Sequence, residues 1–123
     1  MARGIRIISD TEKFFLGDMD TDGYRFHYRR IPNHIRGDII NKHTVMDKRG
    51  RSATDAAAAS REMLEYALLG WDDGSVIDIN DQNVPFSIDA VKWLPDDIGA
   101  DILEAAGANM PNSRAREVET ENL

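Results

Sequence analysis

The sequence predicts an α+β fold that is mainly helical: an N-terminal β-hairpin packed on a bundle of about four helices, with a short second β-turn segment near residues 75–86. Two observations carry this. Tyr24, Phe26 and Tyr28 alternate with Arg25, His27 and Arg29, the two-residue period of a strand with one apolar face. Downstream, apolar residues recur at three- and four-residue spacing in segments separated by glycine, proline and aspartate, the pattern of short amphipathic helices.

Length and composition set the outer limits. The chain has 123 residues, 41% hydrophobic and 30% charged, a size and balance suited to one globular domain with its own core. Residues 1–109 read as a single α+β domain. Residues 110–123, MPNSRAREVETENL, are charged and almost free of large apolar side chains. They read as a flexible C-terminal tail, because such a segment cannot offset the entropy of ordering. A formal net charge of −7, from 22 acidic and 15 basic residues, argues against nucleic acid as a partner, since phosphate contacts need cations. The absence of cysteine excludes disulfides and thiolate chemistry. No run approaches the roughly 20 apolar residues that a membrane span requires, so the expectation is a soluble protein with no membrane partner.

Taken in order, Ile5, Ile7 and Ile8 suggest a first short strand ending at Ser9-Asp10. Lys13–Leu16 and Tyr24–Arg29 form the hairpin, with Asp22-Gly23 in its loop. Pro32 or Asn33 opens a helix whose apolar side carries Ile35, Ile39, Ile40 and His43. Asp47–Arg51 reads as a charged connection. Ser52 or Thr54 then caps a helix from Asp55 to about Leu69, with Ala57, Ser60, Met63, Leu64, Ala67, Leu68 and Trp71 on its buried stripe and Gly70 ending it. Val76–Ile79 and Val84–Phe86 suggest a second small hairpin. Ser87 caps a helix from Ile88 to Leu94, with Ile88, Val91 and Leu94 facing inward, and Asp96-Asp97 open a last helix running to about Ala108.

The chemistry-bearing motifs are few. Asp18-x-Asp20-x-Asp22-Gly23 matches the first half of an EF-hand calcium loop, in which alternate carboxylates converge on a hard cation. The second half departs from it: Arg29 stands where the bidentate glutamate belongs, and a strand pattern replaces the second helix. Asp18, Asp20 and Asp22 are therefore weak metal candidates, with a solvated acidic turn as the plainer reading. No nucleophile–histidine motif and no glycine-rich phosphate loop is present. The sequence thus assigns no catalytic or cofactor-binding residue, and the expectation is a non-enzyme without a cofactor, calcium being the one alternative.

The strand ending Tyr28-Arg29-Arg30-Ile31-Pro32, the helix Glu62–Leu69 closing on Gly70-Trp71, and the run from Val84-Pro85-Phe86-Ser87 to Trp93-Leu94-Pro95 together resemble small tail-morphogenesis proteins of tailed bacteriophages and prophages, especially the tail-assembly-chaperone-like group. The likeness spans about residues 13–108. It implies a non-catalytic protein that binds other tail proteins during assembly, such as the tape measure or tail-tube subunits, in the host bacterial cytoplasm. The alternatives are a minor structural component of the virion and a small calcium-binding module using the Asp18–Asp22 loop. The residues to examine as a protein interface are Tyr24, Phe26 and Tyr28, if their aromatic face is exposed, and Trp93, if it does not join the core. For each the competing fate is burial, because large aromatics usually fill the core of a small domain.

Overall fold

A computed structural model describes residues 4–9 and 11–108. The expected C-terminal tail lies outside the described residues. The fold is α+β, with 36% helix and 17% strand. The element order is β1 (Phe14–Leu16), β2 (Phe26–Tyr28), α1 (Asn33–Lys42), β3 (Thr44–Met46), β4 (Ser52–Thr54), α2 (Ala56–Ala67), β5 (Leu68–Trp71), α3 (Ile88–Val91) and α4 (Asp96–Ala106). None of the described helices is long and apolar enough to cross a membrane.

The hairpin forms as expected from its alternation, with Phe14 opposite Tyr28 and Leu16 opposite Phe26. A third strand extends it. β5 pairs antiparallel with β2, giving the order β1-β2-β5. The helix expected to run to Leu69 stops at Ala67, and Leu68, Gly70 and Trp71 become strand partners of Tyr28, His27 and Phe26, with Leu69 accommodated at a register shift. Trp71 therefore packs from the sheet and not from a helix stripe. Its ring meets the edges of Phe26 and Phe86 at centroid distances of 5.9 and 5.0 Å, and its indole N–H donates to the Val84 carbonyl at 2.8 Å. That bond ties the 72–86 segment to the core.

Four further expectations need correction. The charged run Asp47–Arg51 is the tip of a two-stranded β3–β4 arm, not a plain connection, with Thr44 opposite Thr54 and Met46 opposite Ser52. Because Ser52 and Thr54 belong to this arm, Asp55 takes the α2 cap, its carboxylate accepting from the Ala58 amide. The second hairpin near 75–86 is reduced to one bridge, Ile77 with Asn83, flanked by Val84 N–H to Val76 carbonyl and Asp78 N–H to Gln82 carbonyl bonds. Residues 5–8 form no strand: Ile5 and Ile7 stand in solvent, with no neighbouring strand to receive them.

Two packed clusters make one interior. Ile31, Ile39, Ala59, Met63, Ala67 and Ala106 join α1, α2 and α4. Phe26, Leu68, Trp71, Val91 and Ile102 join the sheet to α3 and α4. The small residues on α2 permit close approach: a Cβ added to Gly99 of α4 would lie 3.4 Å from Leu64. Of the stripe expected on α2, Met63 and Ala67 are buried while Ala57 is exposed, and Ala59 takes its place.

The link between β2 and α1 threads between two helix ends. The Arg29 amide donates to the Ala67 carbonyl and the Ile31 amide to the Ala106 carbonyl, each at 2.9 Å. Arg29 Nε donates to the Tyr66 carbonyl at 2.8 Å while its guanidinium lies 3.9 Å from the Tyr66 ring centroid. Arg36 Nη1 donates to the Gly107 carbonyl at 2.9 Å. At the opposite end of α1, Lys42 Nζ and His43 Nε2 converge on Glu62 Oε1 at 2.9 and 3.0 Å, and these bonds, that of Lys42 foremost, hold the Glu62 carboxyl below its usual range.

Two outcomes follow for stability. Arg29→Met keeps the aliphatic stem but leaves the Tyr66 carbonyl unanswered and removes the cation over the ring, so denaturant melts should show a loss of about 1–2 kcal/mol. Glu62 has a lowered folded pKa, so its contribution is present above the unfolded value of 4.5 and is lost as pH falls through the lower folded value. Glu62→Gln should accordingly lower Tm at neutral pH, and the gap from the parent should close on acidification below pH 4.5.

Candidate functional site

The aromatic strand faces inward. Phe26 is 1% exposed, and Tyr24 and Tyr28 are half-buried against the same cluster. Alternation puts all three on one side of the β2 segment, and that side covers Trp71 and Val91. Fully burying a phenylalanine is worth about 1.5–3 kcal/mol, which a 123-residue domain gains by turning this face to its core. The condition under which Tyr24, Phe26 and Tyr28 would form an interface is therefore not met. The outward side carries His27, whose Nε2 lies 2.6 Å from Asp72 Oδ1. It also carries Phe15, with the Arg25 guanidinium 4.0 Å from its ring centroid.

The acidic loop is closed by its own bonds. Asp18 Oδ1 accepts from the Asp20 amide at 2.8 Å, Asp22 Oδ2 accepts from the Asp18 amide at 2.9 Å, and the Asp22 amide donates to the Asp18 carbonyl at 2.7 Å. These are the side-chain-to-backbone bonds by which aspartate favours turns. Gly17 opens the loop at φ 91°, where an added Cβ would sit 2.7 Å from the Tyr24 ring and carbonyl. Asp18 and Asp22 thus each spend one carboxylate oxygen on amides of the loop. Among the described residues, no group of three histidine, aspartate or glutamate side chains is placed to hold a metal ion.

Trp93 meets its condition. It is 80% exposed, two residues beyond the short helix α3, whose start is fixed by Ser87 Oγ accepting from the Ala90 amide at 3.0 Å. Val91 turns inward and is buried, and Leu94 is half-buried. Ile88, expected to face inward with them, is 52% exposed. The reason is geometric: α3 has only four helical residues, so its first position overhangs the surface instead of continuing a stripe.

Trp93 and Ile88 form the rim of a hollow completed by Arg61 and Glu65 of α2 with Asp89 and Lys92. Arg61 and Lys92 also border a groove of about 370 Å³ between α2 and α4, whose apolar walls come from Leu64, Leu94, Pro95 and Leu103. An indole and a branched aliphatic chain beside an open apolar groove provide contact area. The two cations supply polar contacts at its margin. Among the described residues, no polar or charged side chain is fully buried and no buried side-chain polar atom lacks a partner. Ile88 and the groove were missed from sequence; the only available signal was the brevity of the segment between Ser87 and Pro95.

Comparison of the chain with protein-family models, with curated proteins and with solved structures finds no match in any of the three.

The loop geometry makes a direct prediction. Millimolar calcium should leave the amide resonances of residues 18–24 and the Tm unchanged. Asp18→Ala should lower stability by about 1 kcal/mol, the worth of an intramolecular hydrogen bond to a loop amide. A calcium-dependent shift confined to that loop would assign it a cation after all.

Proposed function

We propose that this chain is a non-catalytic protein-binding module acting in tail assembly of a tailed phage or prophage, chaperone-like in that it binds other tail proteins such as the tape measure or tail-tube subunits. The observation that carries the binding part is the exposed Trp93 with Ile88 at the rim of a hollow that shares Arg61 and Lys92 with the α2–α4 groove. Tryptophan is enriched among the few residues that dominate interface energy, and in a domain with an apolar interior already built from two clusters its place in solvent serves no packing role. The assembly context rests on the resemblance carried by Tyr28–Pro32, Glu62–Trp71 and Val84–Pro95.

A protein of this kind acts by covering apolar surface on its partner until the proper neighbour replaces it. The groove suits such use. It is open, its walls are aliphatic, and its charges lie at the edge, where pairing is worth little and exchange is easy.

The test is co-purification of the tagged chain with the proteins encoded beside it, in parent and Trp93→Ala forms. Being exposed, Trp93 can be truncated with a stability change within about 0.5 kcal/mol, so Tm should stay close to that of the parent. Partner affinity should fall at least about tenfold, equivalent to 1.4 kcal/mol. Equal recovery with both forms would remove this surface from the reading, and neighbouring genes without tail proteins would remove the assembly context.

A further inference from the structure

The surface carries two apolar patches that neither the core nor the Trp93 groove uses, and they have opposite charge. One is the β3–β4 arm. It is a two-stranded sheet with no third strand, and Val45 and Met46 on it are 69% and 71% exposed. Its turn holds Lys48, Arg49 and Arg51 against a single acid, Asp47. Asp47 is committed locally: it accepts from the backbone amides of Arg49 and Arg51 and from Arg51 Nε, each at 2.9 Å. Lys48 and Arg49 make no ion pair among the described residues. A lone two-stranded hairpin with exposed apolar residues is marginal in water, so this arm gains from being covered.

The other patch is the 72–83 segment. Ile77 and Ile79 are 53% and 97% exposed, and they stand among Asp72, Asp73, Asp78 and Asp81 with no lysine or arginine anywhere between Arg61 and Lys92. Backbone bonds shape this segment: Asp78 Oδ1 accepts from the amides of Asn80 and Gln82, and Gly74 N–H donates to Asn83 Oδ1 at 2.7 Å. The exposed isoleucines therefore sit on a folded loop held by the Trp71–Val84 bond.

The two patches do not meet within one chain. The arm leaves the body where α1 ends and α2 begins, and the acidic loop leaves it beyond β5, past the other end of α2. Twelve helical residues interpose about 18 Å between them. We propose that the partner of the arm is the acidic 72–83 loop of a second copy of this chain, so that copies associate head to tail. Met46, on one face of the arm, covers Ile77 and Ile79, while Lys48 and Arg49 face Asp78 and Asp81. Such an interface is heterologous: each joined pair keeps one free arm and one free loop, and association continues into a ring or a row. The chain as a whole carries −7 and repels itself, whereas this end-to-end pairing brings opposite charges together.

Sedimentation of the full chain at about 0.1 M salt, where the Debye length of about 10 Å mutes the repulsion between whole bodies but not a contact pair, should show a mass that rises with concentration beyond the dimer. Met46→Asp spoils the arm and Ile79→Asp spoils the loop. Both positions are exposed, and circular dichroism confirms that each variant is folded. Each variant alone should sediment as a monomer at concentrations where the parent associates. Their equimolar mixture retains one sound arm and one sound loop on different molecules, and should form a species of twice the monomer mass and no larger. A parent that stays monomeric throughout, or a mixture that stays monomeric, overturns the proposal. A mixture that assembles as far as the parent also overturns it.

Discussion

Helices α2 and α4 both finish without a basic residue in their last turn, although the carbonyl end of a helix presents unpaired acceptors and a negative dipole end. The remedy comes from elsewhere in the chain. The stretch from Arg29 to Ile31 runs between the two ends, giving one amide to each, and Arg29 and Arg36 add guanidinium donors to Tyr66 and Gly107. Ile31 is buried as this stretch passes through the first core cluster, and Pro32 starts α1 directly afterwards. Chain connectivity, backbone satisfaction and core packing are thus settled in the same four residues. The sheet lies on one side of this junction and the helical layer on the other, and everything placed farther out, including α3 and the Trp93 rim, inherits its position from it.

This junction also gives physical content to the Tyr28-Arg29-Arg30-Ile31-Pro32 stretch, one of the segments on which the resemblance to tail-morphogenesis proteins rests. Arginine at 29 is needed for reach and for a fork that serves a carbonyl and an aromatic face together, which lysine supplies less well. A segment with these duties is under strong structural demand whatever the protein binds. The functional reading therefore leans on Trp93 and Ile88, residues with no comparable duty inside the fold.

How far the sequence could be read depended on whether a local signal had a rival. The start of α3 was legible because Ser87 precedes apolar spacing, and that of α4 because Asp96-Asp97 do, while α4 stops two residues before the expected Ala108, on Gly107 in the left-handed conformation glycine favours. Strand β5 was hidden because Leu68 and Trp71 stand three apart, continuing the α2 stripe at helical spacing, and only the β2 partner makes them strand residues. The arm was hidden because each of its strands has three residues, too few for a period, and its turn looks like any solvated charge run. At the acidic loop the residue types fitted a plain turn and, more weakly, a cation, and the bond directions, which sequence does not carry, place oxygens of Asp18 and Asp22 on loop amides. For the aromatic strand and Trp93 the pattern fixed neither fate. The presence of β5 beneath Phe26 and the shortness of α3 beside Trp93 decided them in opposite directions.

The two tryptophans end up in contrasting surroundings, one buried among aromatic edges and hydrogen-bonded to a carbonyl, the other in water. Their light emission is consequently separable. Trp93 already emits as a hydrated indole, so loss of structure changes the colour of Trp71 alone, whereas a soluble quencher reaches Trp93 first. The protein carries its own pair of optical probes: one follows the integrity of the interior, the other the occupancy of its exposed rim, and neither needs a label.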